Sequence, residues 1–119
     1  MELKIISVGD KGDLQNERIG LQAIKDCEIK FYQLFRTEFL ESGGFYNRST
    51  AAFWFAPKNI KAGDKVVVYT RTGVDKSEVK ADGTTVHFFY WGLNQAIFTD
   101  NKHGVVLAEM VNWEISKGK

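Results

Sequence analysis

Aromatic side chains set in short alternating runs constrain this sequence more than any other feature. Nine Phe, four Tyr and three Trp make up 13% of its 119 residues. Rings and β-branched side chains fit a pleated, half-buried surface, and here the apolar residues recur mostly with a period of two. No window sustains the i, i+3, i+4, i+7 spacing of an amphipathic helix. Eleven glycines fall mostly between the apolar segments, as turn punctuation. The alternation predicts strands over residues 3–8, 17–24, 29–39, 50–55, 65–71, 85–91 and 104–115, with a short one at 96–98. Ile19, Leu21 and Ala23 share one face of the second; Ile29, Phe31, Phe35 and Phe39 share one face of the third. Pro57 ends the fourth, because it has no N–H to give to a ladder. Residues 41–48 and 73–84 read as polar loops, the second long enough to be mobile. Short strands at close spacing without helical interludes predict an all-β fold, an antiparallel β-sandwich of about seven to nine strands. The length suits a single domain, 1–115, followed by a disordered tail at 116–119.

Composition narrows the chemistry. Lys and Arg number 16 against 15 Asp and Glu, a formal net charge of +1, so no charge excess points to nucleic acid or an anionic membrane. The single Cys27 excludes an internal disulfide and any multi-cysteine metal site. No apolar run is long enough to span a membrane as a helix, and the N-terminus lacks the pattern of a secretory signal. The expectation is therefore a cytoplasmic protein with a reduced cysteine and no cofactor.

Several segments together resemble the lamin tail domain. They are Asn16-Glu17-Arg18-Ile19-Gly20-Leu21, Phe53-Trp54-Phe55-Ala56-Pro57, the run from Ile60-Lys61-Ala62-Gly63-Asp64 through Val66-Val67-Val68-Tyr69-Thr70, Phe89-Tyr90-Trp91-Gly92, Ile97-Phe98-Thr99-Asp100-Asn101 and Val105-Val106-Leu107. The match is degenerate and covers residues 3–110. Phe98 stands where that family usually has Trp, and Lys102-His103 replaces its typical Gly-Asp. The resemblance implies an immunoglobulin-like β-sandwich and a module that recruits proteins or nucleic acid.

The segment His87-Phe88-Phe89-Tyr90-Trp91 carries the sharpest question. Successive strand residues alternate between faces, so Phe88 and Tyr90 share one side and His87, Phe89 and Trp91 the other. Only one face of a sandwich sheet meets the core. The other must be covered by a loop or left open as an interaction surface. Phe53 and Phe55 oppose Trp54 in the same way. Trp54, His87, Phe89, Tyr90 and Trp91 are the candidate binding residues, and the two segments would form one patch if their strands were neighbours.

Other groups read as structural. His87 and His103 have no nearby partner that would complete a metal or acid–base site. Asp10, Asp13 and Glu17 are too sparse for a calcium loop. Cys27 lies between acids that disfavour its thiolate. Asn47-Arg48-Ser49 is a chance match to a glycosylation sequon. No phosphate loop or nucleophile motif is present. The expectation is a non-catalytic binding module that works by protein–protein contact or self-association through exposed aromatic surface or sheet edges. A carbohydrate-binding module stacking sugars on Trp54 or Trp91 is the first alternative. Nucleic-acid binding is the second, and it requires Lys58, Lys61, Lys65 and Arg71 to cluster.

Overall fold

The computed structural model describes residues 1–118. Lys119, the end of the expected tail, lies outside the described residues, as do the side chains of Ser49 and Thr50, so the hydroxyl of the sequon is not described. The described chain is all-β with no α-helix. Its strands are β1 (Leu3–Gly9), β2 (Arg18–Ala23), β3 (Cys27–Glu28), β4 (Tyr32–Phe39), β5 (Phe45–Trp54), β6 (Asn59–Ile60), β7 (Lys65–Arg71), β8 (Lys76–Val79), β9 (Thr85–Leu93) and β10 (His103–Glu109). They form a five-stranded sheet in the order β1-β2-β7-β9-β8, a three-stranded sheet in the order β10-β4-β5, and a small β3-β6 pair.

Alternation builds the core. Val66, Val68 and Thr70 of β7 are buried while Val67, Tyr69 and Arg71 between them are partly exposed. Ile19, Leu21 and Ala23 of β2 point the same way and pack with Leu3 and Phe89. Facing them from the three-stranded sheet are Tyr32, Leu34 and Leu107. Each such fully buried Leu, Val, Ile or Phe side chain stabilises the fold by about 1.5–3 kcal/mol relative to exposure. Both large sheets therefore bury one face against the same cluster.

The structure corrects the sequence reading in several places. The sheets are not wholly antiparallel: β7 pairs parallel to β9, with Tyr69 opposite Tyr90 and Val67 opposite Phe88. After β7 the chain skips one strand position, lays down β8 at the edge, and returns as β9 in the gap. Residues 73–84 are accordingly not one mobile loop but contain β8, bonded along β9 from Lys76–Phe88 to Val79–Thr85. Residues 45–48 belong to β5, which a tight turn joins to β4: Leu40 N–H donates to Gly44 O at 2.8 Å and Gly43 N–H to Leu40 O at 3.0 Å. Gly43 holds φ +97° there, which L side chains rarely adopt. Residues 96–98 form no strand, and β10 ends at Glu109.

The third expected strand also changes phase. Residues Ile29–Phe31 form a single 3-10 turn, whose Lys30 N–H donates to the Glu28 carboxylate at 2.7 Å. That turn shifts the phase of β4. Ile29 enters the core, but Tyr32 and Leu34 are the inward residues of β4, and Phe35 and Phe39 are not. No helix among the described residues is long and apolar enough to cross a membrane.

Candidate docking surface

The residues singled out in sequence divide among the core and two outer faces. Phe89 is 3% exposed and His87 5%, so neither belongs to a surface. Trp91 packs against the core, with its ring centroid 5.6 Å from Phe53. Phe53 also meets Phe55 at 5.0 Å and Phe89 at 6.5 Å, and Phe55 meets Phe89 at 5.1 Å. The two aromatic segments do come together, but across the interior between the sheets. Burying large rings there excludes the most apolar area from water.

Tyr90 lies on the outer face of the five-stranded sheet. Parallel pairing of β7 and β9 places Tyr69 between Phe88 and Tyr90, at 6.4 Å and 5.6 Å, with interplanar angles of 19° and 12°. The Arg71 guanidinium lies 4.8 Å from the Tyr69 ring centre and 5.1 Å from that of Tyr90, and Lys76 Nζ lies 5.4 Å from that of Phe88. The segment joining β7 to β8 crosses against Tyr90 so closely that a methyl group on Gly73 would overlap its ring. This row is capped by cations and a strap, the covered arrangement the sequence left open as one of two outcomes.

The open apolar face belongs to the three-stranded sheet. Phe35 of β4, Ala52 of β5 and Val106 of β10 line a cavity of about 430 Å³, closed at one side by Phe45, Tyr46, Asn47 and Arg48 of the β4–β5 hairpin. Phe39, Leu40, Phe45 and Tyr46 around that hairpin are each about half exposed. At the far end Trp54 is 41% exposed; its indole N–H donates to Lys30 O at 2.7 Å, and Trp113 meets its ring at 4.8 Å and 89°. β5 also forms one end of its sheet, so the outer side of its backbone has no strand partner among the described residues; on its inner side the ladder with β4 runs through 51–54 and 45–46, and the register shifts between Ala51 and Tyr46. Natural edges are commonly guarded by Lys, Pro or short length. β5 is interrupted by its register shift at residues 47–50, where Arg48, its one charged residue, lies; its paired stretches 45–46 and 51–54 carry no charge. By contrast β8, the edge of the other sheet, is short and carries Lys76 and Glu78.

Phe35, Phe39, Phe45 and Tyr46 were not among the sequence candidates. The first two were read as sharing a face with Ile29 and Phe31, and the last two as part of a loop. Only the 3-10 turn and the tight hairpin put them outside.

The remaining candidates have ordinary partners. Asp10 pairs with Arg18 at 2.5 Å, and Asp13 accepts from Gln15 N–H at 3.1 Å and from the Asn16 amide at 2.9 Å. Glu17 turns inward and is fully buried, a role the sequence did not signal. His103 Nδ1 accepts the N–H groups of Thr99 and Asp100 at 3.1 Å, which closes its turn. Burial pushes the Cys27 thiol above its usual value, and Glu2, Glu28, Asp26 and Glu109 push it further. The Tyr32 hydroxyl is raised to about 12, chiefly by burial and then by Glu109, against the N–H of Glu2 that favours its ionised form. No group of three or more His, Cys, Asp or Glu among the described residues is arranged to hold a metal ion.

No protein-family model matches the chain, and no curated protein sequence matches it.

Proposed function

We propose that the chain is an immunoglobulin-like β-sandwich of the lamin tail kind, and that it works by docking protein rather than by catalysis. The observation that carries this reading is the open face of the three-stranded sheet. An apolar cavity, four half-exposed large side chains and an edge strand with uncharged stretches at 45–46 and 51–54 adjoin there. Contiguous exposed apolar surface is costly unless something covers it, and a free edge adds main-chain hydrogen bonds to the same contact. The occupant that needs nothing beyond this chain is a second copy. Two β5 strands related by a two-fold axis run antiparallel and join their sheets into one. The free thiol of Cys27 fits a reducing, cytoplasmic setting.

Sugar stacking is less well supported, because Trp113 stands against the Trp54 ring and Trp91 faces the core. For nucleic acid, Lys58 and Arg71 are already engaged with Ser77 and with Tyr69 and Tyr90. Sedimentation velocity over a range of micromolar concentrations tests the docking reading. The wild-type chain is expected to shift towards a dimer, and Phe45→Ser combined with Tyr46→Ser to stay monomeric with an unchanged fold. A wild-type chain that sediments as a monomer at every concentration overturns the second-copy form of the proposal.

A further inference from the structure

Away from the docking face, four side chains form one hydrogen-bonded line at the edge of the five-stranded sheet. Asp64, in the turn before β7, accepts the N–H groups of Thr85 at 3.0 Å and Lys61 at 3.2 Å. Its Oδ2 also lies 2.9 Å from His87 Nε2. His87 sits on β9 directly opposite Ser77 of β8, and its Nδ1 is 3.0 Å from Ser77 Oγ. The Lys58 ammonium, from the β5–β6 connection, contacts the same Oγ.

With the imidazole in its neutral form, valence fixes the direction of this line. An ammonium can only donate, and an ionised carboxylate can only accept. Lys58 therefore donates to Ser77, Ser77 to His87 Nδ1, and His87 Nε2–H to Asp64. The serine proton points at an imidazole nitrogen that has a free lone pair, and the serine oxygen faces a positive charge. The side chains of His87 and Asp64 are 7% and 8% exposed, whereas Ser77 is open to solvent. A reachable hydroxyl, a dry base and a third group that orients the base are the parts of an activated nucleophile. The imidazole is turned so that Nδ1 rather than Nε2 meets the hydroxyl; either nitrogen can take the proton.

From this we infer that Ser77 is a modification site, a nucleophilic hydroxyl that takes an acyl group from a small activated ester. Ser77 Oγ attacks the ester carbonyl carbon as its proton passes to His87 Nδ1, and Asp64 holds the resulting imidazolium. The Lys58 ammonium lies beside the oxyanion. Collapse breaks the bond to the leaving oxygen, which departs with the proton from His87, and Ser77 is left as its ester. One acyl group is transferred per chain, with no turnover, so the step is compatible with a module that otherwise works by contact.

The test uses the full chain and p-nitrophenyl acetate, reading released p-nitrophenolate and the acetylated peptide by mass spectrometry. The expected result is a burst of about one equivalent with the acetyl group on Ser77. His87→Gln should slow the burst by roughly a hundredfold, the ordinary worth of a positioned base. Ser77→Ala should abolish it. Should His87→Gln fail to fold, Lys58→Gln removes the charge beside the oxygen and Lys58→Arg keeps it: the first should slow acetylation and the second should restore most of it. Acetyl groups confined to lysines, or Ser77 acetylated equally fast without His87 in a folded variant, would show the line to be a structural clasp and overturn the inference.

Discussion

Glu17 is the residue whose replacement the structure makes most costly. Its carboxylate is fully buried and no cation pairs with it among the described ion pairs. Instead Oε1 accepts the N–H groups of Gly12 and Phe98, both at 2.9 Å, and Oε2 accepts the N–H of Ile97 at 3.0 Å and the Thr70 hydroxyl at 2.8 Å. Its own backbone adds two links, accepting from Thr70 N–H at 3.2 Å and donating to Asp13 O at 2.6 Å. One side chain thus joins the β1–β2 loop, β7 and the connection from β9 to β10. In Glu17→Ala three backbone donors lose their acceptor. A buried donor left unpaired costs about 1–3 kcal/mol, and water entering the space left by the shorter side chain recovers part of that. The expected loss is about 3–5 kcal/mol, a large share of the roughly 5–15 kcal/mol that holds such a domain. Glu17→Gln keeps the shape. With its amide oxygen at the Oε1 position, Gly12 and Phe98 retain their bonds. Thr70 can rotate its hydroxyl to accept, and only Ile97 N–H is left facing a donor. Losing that bond and the charge should cost about 2–3 kcal/mol. Urea unfolding followed by tryptophan fluorescence measures both values. A loss below about 1 kcal/mol for Glu17→Ala, at unchanged dependence on denaturant, would refute the clamp.

Asp64 gives the pH dependence. Burial acts to raise its pKa, but the hydrogen bond from His87 and the N–H groups of Thr85 and Lys61 outweigh it, so it titrates below its ordinary 3.8. A depressed folded value stabilises the protein fully above 3.8, and the stabilisation is lost as pH falls through the lower folded value. The part of the stability gap between wild type and Asp64→Asn that comes from this titration should therefore disappear only under acid, below 3.8, as read by urea midpoints across pH. Gly73→Ala and Gly104→Ala form a contrasting pair. Both added methyl groups would overlap a ring, that of Tyr90 and that of Phe39. Tyr90 is held between Tyr69 and the strap, so the first should cost about 1–3 kcal/mol. Phe39 is 51% exposed and can swing away, so the second should cost under about 1 kcal/mol in thermal or urea unfolding.

The sequence by itself determined the strands and their inward faces wherever alternation was strict. β7 and the buried row Ile19, Leu21 and Ala23 are legible because side-chain direction repeats every two residues regardless of what lies opposite. It also framed the question of the aromatic strand correctly: Phe89 and Trp91 do share the core side, and Phe88 and Tyr90 the other.

Partners and phase were decided only by tertiary structure. The parallel pairing of β7 with β9 depends on where β8 is laid down, which no local pattern encodes. A three-residue 3-10 turn sent Phe35 and Phe39 to the outside, and one displaced residue is enough to exchange the faces of a strand. Glu17 became a clamp, and Lys58, Ser77, His87 and Asp64 a line, because loops far apart in the chain deliver donors to one point. A residue's type fixes what it can donate or accept; only the fold decides which groups stand within reach.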